Sequence, residues 1–196
     1  MSSRVVLILG AGANIGKSLI TKFSSEGFKI AIASRTSKPE FEKAAAVSVT
    51  ADLSDPSSIK AIFTRVKSEI GIPNVVIYNG MQPYSLNLRN MRNGIPLTTH
   101  SAGASTFVPT NPLSVPLSAF EHDLAVNVTS VYAAAQEAVF GFDSLPKETL
   151  KSFIYTGNGL NVVTPMPVLL TLGVGKSAAA HLIQASSIAY KDAGYR

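Results

Sequence analysis

The sequence contains no cysteine, so it has neither a disulfide framework nor a thiolate metal site. Its histidines, His100, His122 and His181, are scattered without the spacing of metal ligands, and no metal site is predicted. No uninterrupted apolar run reaches the roughly 18 residues that would cross a membrane, and Arg4 leads directly into a strand-like run rather than a signal peptide. A cytoplasmic protein without a membrane partner is therefore the expectation.

Acidic residues are outnumbered by basic ones, which gives a net charge of +5 and a pI of about 9.5. This balance describes either an ordinary solvated surface or a protein that attracts an anionic ligand such as a nucleotide phosphate. The basic residues do not cluster, and none of their stretches is interleaved with aromatic residues, so no nucleic-acid partner is expected.

Apolar residues make up 46% of the 196-residue chain, which is long enough for one domain with a full core. Strand-like apolar runs alternate with segments of helical periodicity, as in βαβ units. The sequence predicts an α/β fold over residues 1–196: a three-layer, Rossmann-like, doubly wound parallel sheet with strand order 3-2-1-4-5. Strands are predicted at residues 5–9, 28–33, 47–50, 75–78 and 152–156, and helices begin near residues 15, 39, 56, 118 and 175.

One long segment, residues 81–117, interrupts this alternation and is rich in Ser, Thr, Asn and Pro. It follows the predicted fourth strand, at the sheet edge where ligands bind in such folds. A loop of this length in a compact domain is usually functional or disordered. The segment is interpreted as either a substrate cap or a mobile surface insertion.

A glycine-rich turn joins the first strand to the first helix and predicts a dinucleotide site. Glycines allow a tight turn and a close approach of the backbone to a diphosphate, at which the helix amino end points its N–H groups. A P-loop does not fit, because the first glycine of that motif would have to stand at Ala11. The residues predicted to line the diphosphate are Gly10, Gly12, Ala13, Asn14, Ile15 and Gly16.

The end of the second strand carries no Asp or Glu, the residue that usually binds the ribose 2′-hydroxyl of NAD. Instead, Ser34, Arg35 and Thr36 are able to hydrogen-bond a 2′-phosphate, and Arg35 adds a positive charge. NADP(H) is therefore predicted in preference to NAD(H). The alternative is that Arg35 is only a solvated charge at the end of a strand.

The turn resembles the Thr-Gly-x-x-x-Gly-x-Gly motif of the short-chain dehydrogenase/reductase family. Gly10 and Gly16 match the first and last glycines, and Asn14 stands at the middle one. Asparagine is the non-glycine residue that best tolerates the left-handed backbone expected there. The resemblance continues after the third strand, where the family contacts adenine, and after the fourth, where Tyr78 replaces the first Asn of its Asn-Asn-Ala-Gly element. This resemblance adds five residues to the predicted cofactor site: Asp52, Leu53, Asn79, Gly80 and Met81.

The catalytic residues that the resemblance implies are Asn, Ser, Tyr and Lys. Asn127 matches the Asn and Lys176 the Lys, which in the family binds the nicotinamide ribose and lowers the Tyr pKa. Leu172 stands where the Tyr should be, and leucine donates no proton to the alkoxide that carbonyl reduction creates. Lys176 is then either a catalytic group or only a ribose contact, and Asn127 either a catalytic group or a helix-bend residue.

The family's Ser is also missing after the fifth strand, where Thr156 and Asn158 are able to bind an oxygen. The proton of an oxidoreductase would have to come from Tyr155, Tyr84, the substrate or water, although Tyr155 also fits a strand residue packed in the sheet. Three interpretations follow: an atypical NADP(H) oxidoreductase acting on a small carbonyl or alcohol, a dinucleotide-binding or sensor protein without this chemistry, and a vestigial site serving only as an interaction surface.

Members of the family extend beyond the point where this sequence stops, with a sixth strand and a substrate lid. The chain is interpreted as a natural truncation or as a piece of a longer protein, and in both cases the fifth strand presents an open sheet edge. The helices predicted over residues 118–140 and 175–191 resemble the family's dimer helices, so a homodimer is expected.

Overall fold

A five-stranded parallel sheet forms the centre of the computed structural model, which describes residues 4–36, 39–80, 111–162 and 165–196. Its strand order is β3-β2-β1-β4-β5, so the α/β fold and the order 3-2-1-4-5 are confirmed. The strands are β1 Val5–Leu9, β2 Lys29–Ser34, β3 Val47–Thr50, β4 Val75–Tyr78 and β5 Ser152–Tyr155.

Every residue of β1 is buried, because this strand lies between β2 and β4 and is covered by helices on both faces. A strand in that position must be apolar on both sides, which explains its uninterrupted run of Val, Leu and Ile. The register aligns Leu9 with Ala33 and with Tyr78, and Tyr78 with Tyr155. The residues that follow these strands therefore emerge side by side at the carboxyl edge of the sheet.

Helices cover both faces of the sheet and produce the predicted three layers. They are α1 Ile15–Ser25, α2 Pro39–Glu42, α3 Ser58–Ile70, α4 Leu117–Leu124, α5 Ser130–Asp143 and α6 Leu170–Ala189. One core cluster joins β1, β3 and β4 to α3 and α5, and a second joins the opposite side of the sheet to α1 and α2. On α3 the apolar residues recur every three or four positions, which places them on the buried face.

Two helices differ from their predicted form. The segment expected as one helix over residues 118–140 is divided by a π-helical turn, Ala125–Thr129, between α4 and α5. The last helix begins at Leu170 rather than at residue 175, because the 3₁₀ turn Pro167–Leu169 leads directly into it. Thr171 and Leu172, in its first turn, are buried. Its first turn therefore packs against the core.

The predicted cap segment lies mostly outside the described residues, which resume at residue 111. Its described end forms a 3₁₀ turn, Pro112–Ser114, which contacts the turn Pro167–Leu169 that precedes α6. At the other side of the molecule, Tyr195 pairs with Lys151, and the N–H of Phe153 donates to the Arg196 carbonyl at 2.7 Å. Part of the β5 edge is thus paired by the last two residues.

Among the described residues, one stretch, Pro167–Ala189, is long and apolar enough by composition to cross a membrane, with a mean hydropathy of 1.2. It consists of α6 and the turn before it. A core helix of a soluble protein passes the same test, and here the middle of the helix carries the buried Lys176. This single helix is weak evidence for a membrane span.

Candidate dinucleotide site

Gly10 ends β1 in a conformation that only glycine adopts easily, with a φ of 92°. A Cβ at this position would lie 2.2 Å from the carbonyl oxygen of Asn79. The turn is fixed from both neighbouring strands: the Gly10 N–H donates to the Ala33 carbonyl at 2.9 Å, and the Asn79 N–H donates to the Leu9 carbonyl at 2.7 Å. Glycine is therefore required at position 10 by contacts within the protein.

The turn leads into the amino end of α1, whose first turn carries no acidic side chain. A Cβ on Gly16 would lie 2.7 Å from the carbonyl carbon of Ala11, so this glycine allows the helix to pack on the turn, whereas a Cβ on Gly12 would meet nothing within 4 Å. The first N–H groups of a helix lack intrahelical partners and favour an anion. Three of the predicted diphosphate residues are exposed at this end: Ala13, Asn14 and Ile15.

Asn14 does not adopt the left-handed backbone expected of it. Its φ is −92°, and among the described residues only glycines have positive φ. Because its φ is negative, Asn14 does not need the left-handed conformation that favours glycine.

The carboxyl end of β2 presents an exposed arginine, Arg35. Its positive charge contributes to holding the pKa of the Asp52 carboxyl below its usual range, an effect led by the hydrogen bond from the Ser54 N–H to that carboxylate at 2.9 Å. The Ser34 hydroxyl donates to the Thr36 carbonyl at 2.8 Å and so closes the loop on itself. Arg35 and the exposed Thr36 are the outward-facing groups at this point.

A chain of hydrogen bonds connects the glycine turn to Lys176. The Asn79 Nδ2 donates to the Gly10 carbonyl at 2.9 Å, and the Thr156 hydroxyl lies 3.0 Å from the Asn79 Oδ1. The Lys176 Nζ donates to the Thr156 carbonyl at 3.1 Å. Residues from four segments of the sequence are thereby held in one rigid arrangement at the carboxyl edge.

Lys176 is almost completely buried, with 2% of its surface exposed, although its side chain carries an amine. Burial lowers the pKa of this amine to about 8, so the ammonium form still predominates at pH 7. The ammonium group lies 4.5 Å from the centre of the Tyr155 ring, at a distance typical of a cation–π contact. Lys176 is thus a cation held by a carbonyl and an aromatic face.

The π-helical turn Ala125–Thr129 places Asn127 beside Lys176. The Asn127 Nδ2 donates to the Asp123 carbonyl at 3.0 Å, a side-chain bond to the backbone of the preceding helical turn. A Cβ on Gly175 would lie 2.7 Å from the Asn127 Cβ. Gly175 therefore allows α6 to approach this turn closely, and Lys176 is the next residue along.

Tyr78 stabilises the same turn from the sheet. Its buried hydroxyl donates to the Val126 carbonyl at 2.7 Å, and burial raises its pKa far above the ordinary value, so it stays a donor. An ideal Cβ on Gly80 would lie 2.5 Å from the Tyr78 ring. The tyrosine that replaces the family's first Asn therefore bonds the irregular helix and requires a glycine two residues later.

Tyr155 and Leu172 have surroundings that bear on proton transfer. The Tyr155 hydroxyl is buried without a hydrogen-bond partner among the described residues, and burial raises its pKa well above the ordinary value. Its ring belongs to the apolar core beneath α5 and α6. Leu172, one helical turn before Lys176, is buried as well. The role of Tyr155 as proton donor stays a prediction, and its surroundings favour packing.

The structure brings most of the predicted site residues to one edge of the sheet, with two qualifications. Met81 lies outside the described residues. Leu53 is buried, and its carbonyl accepts a hydrogen bond from the Ser130 hydroxyl at 2.7 Å, so its side chain belongs to the core. The sequence reasoning missed the connecting roles of Tyr78, Thr156 and Gly175. Their signal was position: each stands beside a predicted site residue.

The fold and the site together define a dinucleotide-binding α/β protein, with a glycine turn at a helix amino end and a lysine held at the same sheet edge. Residues 4–149 match the short chain dehydrogenase family. Over all 196 residues the chain is 40% identical to "Short chain dehydrogenase/reductase dmxR12" of Cryptosporiopsis sp. (strain 8999) and covers 75% of that protein. The chain belongs to the short-chain dehydrogenase/reductase family.

Solved structures of short-chain oxidoreductases and reductases have the same fold as this chain. A metagenomic short-chain oxidoreductase in complex with NADP aligns with a TM-score of 0.77 at 17% identity, covering 100% of this chain and 79% of that one. A 3-ketoacyl-(acyl-carrier-protein) reductase from Brucella melitensis, complexed with NADH, aligns with a TM-score of 0.75 at 21% identity, covering 98% and 72%. At these identities the likeness concerns the fold.

Proposed function

We propose that this protein is an NADP(H)-dependent oxidoreductase that acts on a carbonyl or alcohol group. The observation that carries the proposal is the hydrogen-bonded path from the Gly10 carbonyl through Asn79 and Thr156 to the Lys176 ammonium. It joins the turn expected to hold the diphosphate to the lysine expected to hold the nicotinamide ribose. Family membership supports an oxidoreductase of this type, and related structures named with NADP or NADH support a nicotinamide dinucleotide.

The residues present fit such a cofactor. The glycines of the turn leave the backbone bare, and the first turn of α1 carries no carboxylate to repel a diphosphate. When bound, the nicotinamide supplies or accepts the hydride. Lys176 keeps a positive charge next to the Thr156 carbonyl, and that charge favours an alkoxide forming nearby. Asn127 and Gly175 keep α6 close to the π-helical turn and thereby hold this lysine in place.

The proposed preference for NADP(H) over NAD(H) is based on the residues at the end of β2. Arg35 is exposed there, and no carboxylate stands at the position that usually binds the ribose 2′-hydroxyl of NAD. Charge-assisted hydrogen bonds contribute about 1.5–3 kcal/mol, so Arg35→Ala is expected to weaken NADPH binding by about tenfold to a hundredfold and to leave NADH binding nearly unchanged. Titration calorimetry with both nucleotides measures this. Lys67→Ala, which removes the same charge from the far end of α3, is the matched control. Equal losses for NADPH and NADH would contradict the assignment of Arg35.

A second function is favoured by one observation, the buried Leu172 at the family's tyrosine position. In this alternative the protein binds the dinucleotide as a sensor or structural ligand and transfers no hydride. Nicotinamide fluorescence separates the two: NADPH is added to the protein and then a panel of carbonyl compounds. Loss of NADPH fluorescence with product formation supports the oxidoreductase, and stable binding without oxidation supports the sensor.

The protein is further proposed to act in the cytoplasm as a homodimer, through the face formed by α5 and α6. Large apolar side chains are exposed there, among them Tyr132, Phe140 and Ile188, and a groove of about 230 Å³ runs between the two helices. Covering such a surface with a second copy removes it from water. Sedimentation equilibrium is expected to give twice the 20.6 kDa chain mass, and Phe140→Asp to shift the species toward monomer. A monomer at high concentration of the wild-type chain would exclude this assembly.

A further inference from the structure

Tyr78, the last residue of β4, is 1% exposed although its side chain is large and carries a hydroxyl. Its backbone carbonyl accepts a hydrogen bond from the Thr156 N–H at 3.0 Å and lies 3.2 Å from the Thr156 hydroxyl oxygen. The carbonyl of Thr156 in turn accepts a hydrogen bond from the Lys176 ammonium group. The residue that bonds the Lys176 ammonium group is therefore itself held by Tyr78.

The Tyr78 ring contacts the second partner of Lys176, the ring of Tyr155. The two tyrosines are paired across β4 and β5, and their ring centres lie 6.3 Å apart with 34° between the ring planes. Aromatic rings attract each other when their centres are about 4.5–7 Å apart. The Lys176 ammonium group lies 4.5 Å from the centre of the Tyr155 ring. The ring that this ammonium group contacts is therefore packed on Tyr78.

The Tyr78 hydroxyl reaches a third support of Lys176, the π-helical turn. It donates to the Val126 carbonyl at 2.7 Å, one residue before Asn127. The backbone of Gly175 approaches Asn127 so closely that a Cβ on this glycine would lie 2.7 Å from the Asn127 Cβ. Lys176 is the next residue of α6. A displacement of the π-helical turn would therefore move the backbone that carries Lys176.

We propose that Tyr78 is a positioning residue, whose ring and hydroxyl fix the Lys176 ammonium group at the place where the nicotinamide ribose is expected. This inference rests on the proposed function for the identity of the bound group. The family's motif has Asn where this chain has Tyr78, and Asn provides neither a ring nor a hydroxyl. The positioning is thus a property of this chain rather than of the motif. Tyr78→Phe tests it with the smallest change, because this variant keeps the ring and removes the hydroxyl.

The first test measures how well the Lys176 amine is protected, and it needs no nucleotide. Acetic anhydride acetylates exposed amines, and peptide mass spectrometry compares Lys176 with Lys151, a second buried lysine at the opposite end of β5. In Tyr78→Phe the acetylation of Lys176 relative to Lys151 is expected to rise at least about threefold, the effect of losing one buried hydrogen bond. An unchanged ratio, including equal rises at both lysines through general loosening, would overturn the inference.

Tyr195→Phe is the matched control for this variant. It also removes one phenol hydroxyl, which donates to the Asp143 carboxylate at the end of α5. Because Tyr195 contacts none of the groups around Lys176 described above, the acetylation of Lys176 is expected to stay as in the wild-type protein. A rise equal to that in Tyr78→Phe would contradict the role of Tyr78.

The second test compares two nucleotides on the same variant by titration calorimetry. Adenosine 2′,5′-bisphosphate contains the phosphorylated adenosine of NADPH and lacks the nicotinamide and its ribose. Tyr78→Phe is expected to weaken NADPH binding by about threefold to tenfold and to leave the binding of the bisphosphate nearly unchanged. A residue with a merely structural role would affect both nucleotides, so equal losses would contradict the inference.

A double-mutant cycle tests whether Tyr78 acts through Lys176. Residues that act as a unit have non-additive effects, so Tyr78→Phe is expected to weaken NADPH binding no further in a Lys176→Met background. Additive losses would show that Tyr78 acts elsewhere and would overturn the inference.

The outcomes separate this inference from the proposed function. A wild-type protein that does not bind NADPH, or a Lys176→Met variant that binds it as tightly as wild type, removes the proposed role of the lysine in nucleotide binding. The acetylation ratio does not depend on either result. It alone then decides whether Tyr78 fixes the position of Lys176.

Discussion

The Gly10→Ala variant is expected to lose about 2–5 kcal/mol of its free energy of unfolding and to bind NADPH too weakly to measure. The added Cβ would lie 2.2 Å from the Asn79 carbonyl oxygen, which is backbone and has no rotamer to relieve the contact. The residue would also have to keep a φ of 92°, which costs a non-glycine residue about 1–2 kcal/mol. Domains are stable by only about 5–15 kcal/mol, so this loss brings the variant close to unfolding.

The effect is expected to extend beyond stability because Gly10 begins the path to Lys176. Pushing β4 away from the turn displaces Asn79, whose side-chain amide bonds the Gly10 carbonyl and whose Oδ1 meets the Thr156 hydroxyl. Urea unfolding and NADPH fluorescence measure the two consequences. Gly12→Ala is the control, since its Cβ would meet nothing within 4 Å, and it should unfold as wild type does. If Gly10→Ala and Gly12→Ala were equally stable, the assigned packing of the turn would be wrong.

The Leu172→Tyr variant is expected to gain carbonyl reduction, by about 10²- to 10⁴-fold over wild type, the range that a positioned general acid contributes. Residues four apart on a helix share a face, so the new phenol would lie next to the Lys176 ammonium. A neighbouring cation lowers the pKa of a phenol and favours release of its proton to the alkoxide. The measurement is NADPH consumption with the panel of carbonyl compounds and confirmation of the alcohol product.

The enlarged side chain is also expected to destabilise the protein by about 1–3 kcal/mol, because Leu172 is buried in a packed region. Leu172→Phe separates packing from chemistry, since it adds the same ring without the hydroxyl and should remain as slow as wild type. Tyr155→Phe in the wild-type chain tests the other phenol, and an unchanged rate would remove Tyr155 as the acid. Equal rates for Leu172→Tyr and Leu172→Phe would show that the missing phenol is not what limits the reaction.

The fold followed from the sequence because its signals are local and strong. The buried parallel strands appear as continuous apolar runs, and the Gly-rich turn at Gly10 has a steric requirement that few arrangements meet. The sheet order then follows from the handedness of βαβ units and the position of the turn. The same reasoning located Arg35 and Lys176 at the carboxyl edge, since each follows or faces the end of a strand.

The connections within the site did not follow, because they depend on tertiary contacts. The π-helical turn around Asn127 is maintained by a hydroxyl from β4, the Tyr78 hydroxyl, and by the absence of a side chain at Gly175. Helical periodicity does not distinguish such a turn from a regular helix. At Asn14 a prediction was made and was wrong. The family motif predicted a left-handed backbone at this residue, whereas its φ is −92°.

The central claim is that the glycine turn binds the diphosphate of a nicotinamide dinucleotide while Arg35 binds an additional phosphate. Titration calorimetry of the wild-type protein with NADPH and, separately, with NADH tests it most directly. One NADPH is expected to bind per chain, at least about tenfold more tightly than NADH, with the difference shrinking as salt is raised. No heat with either nucleotide would contradict the claim.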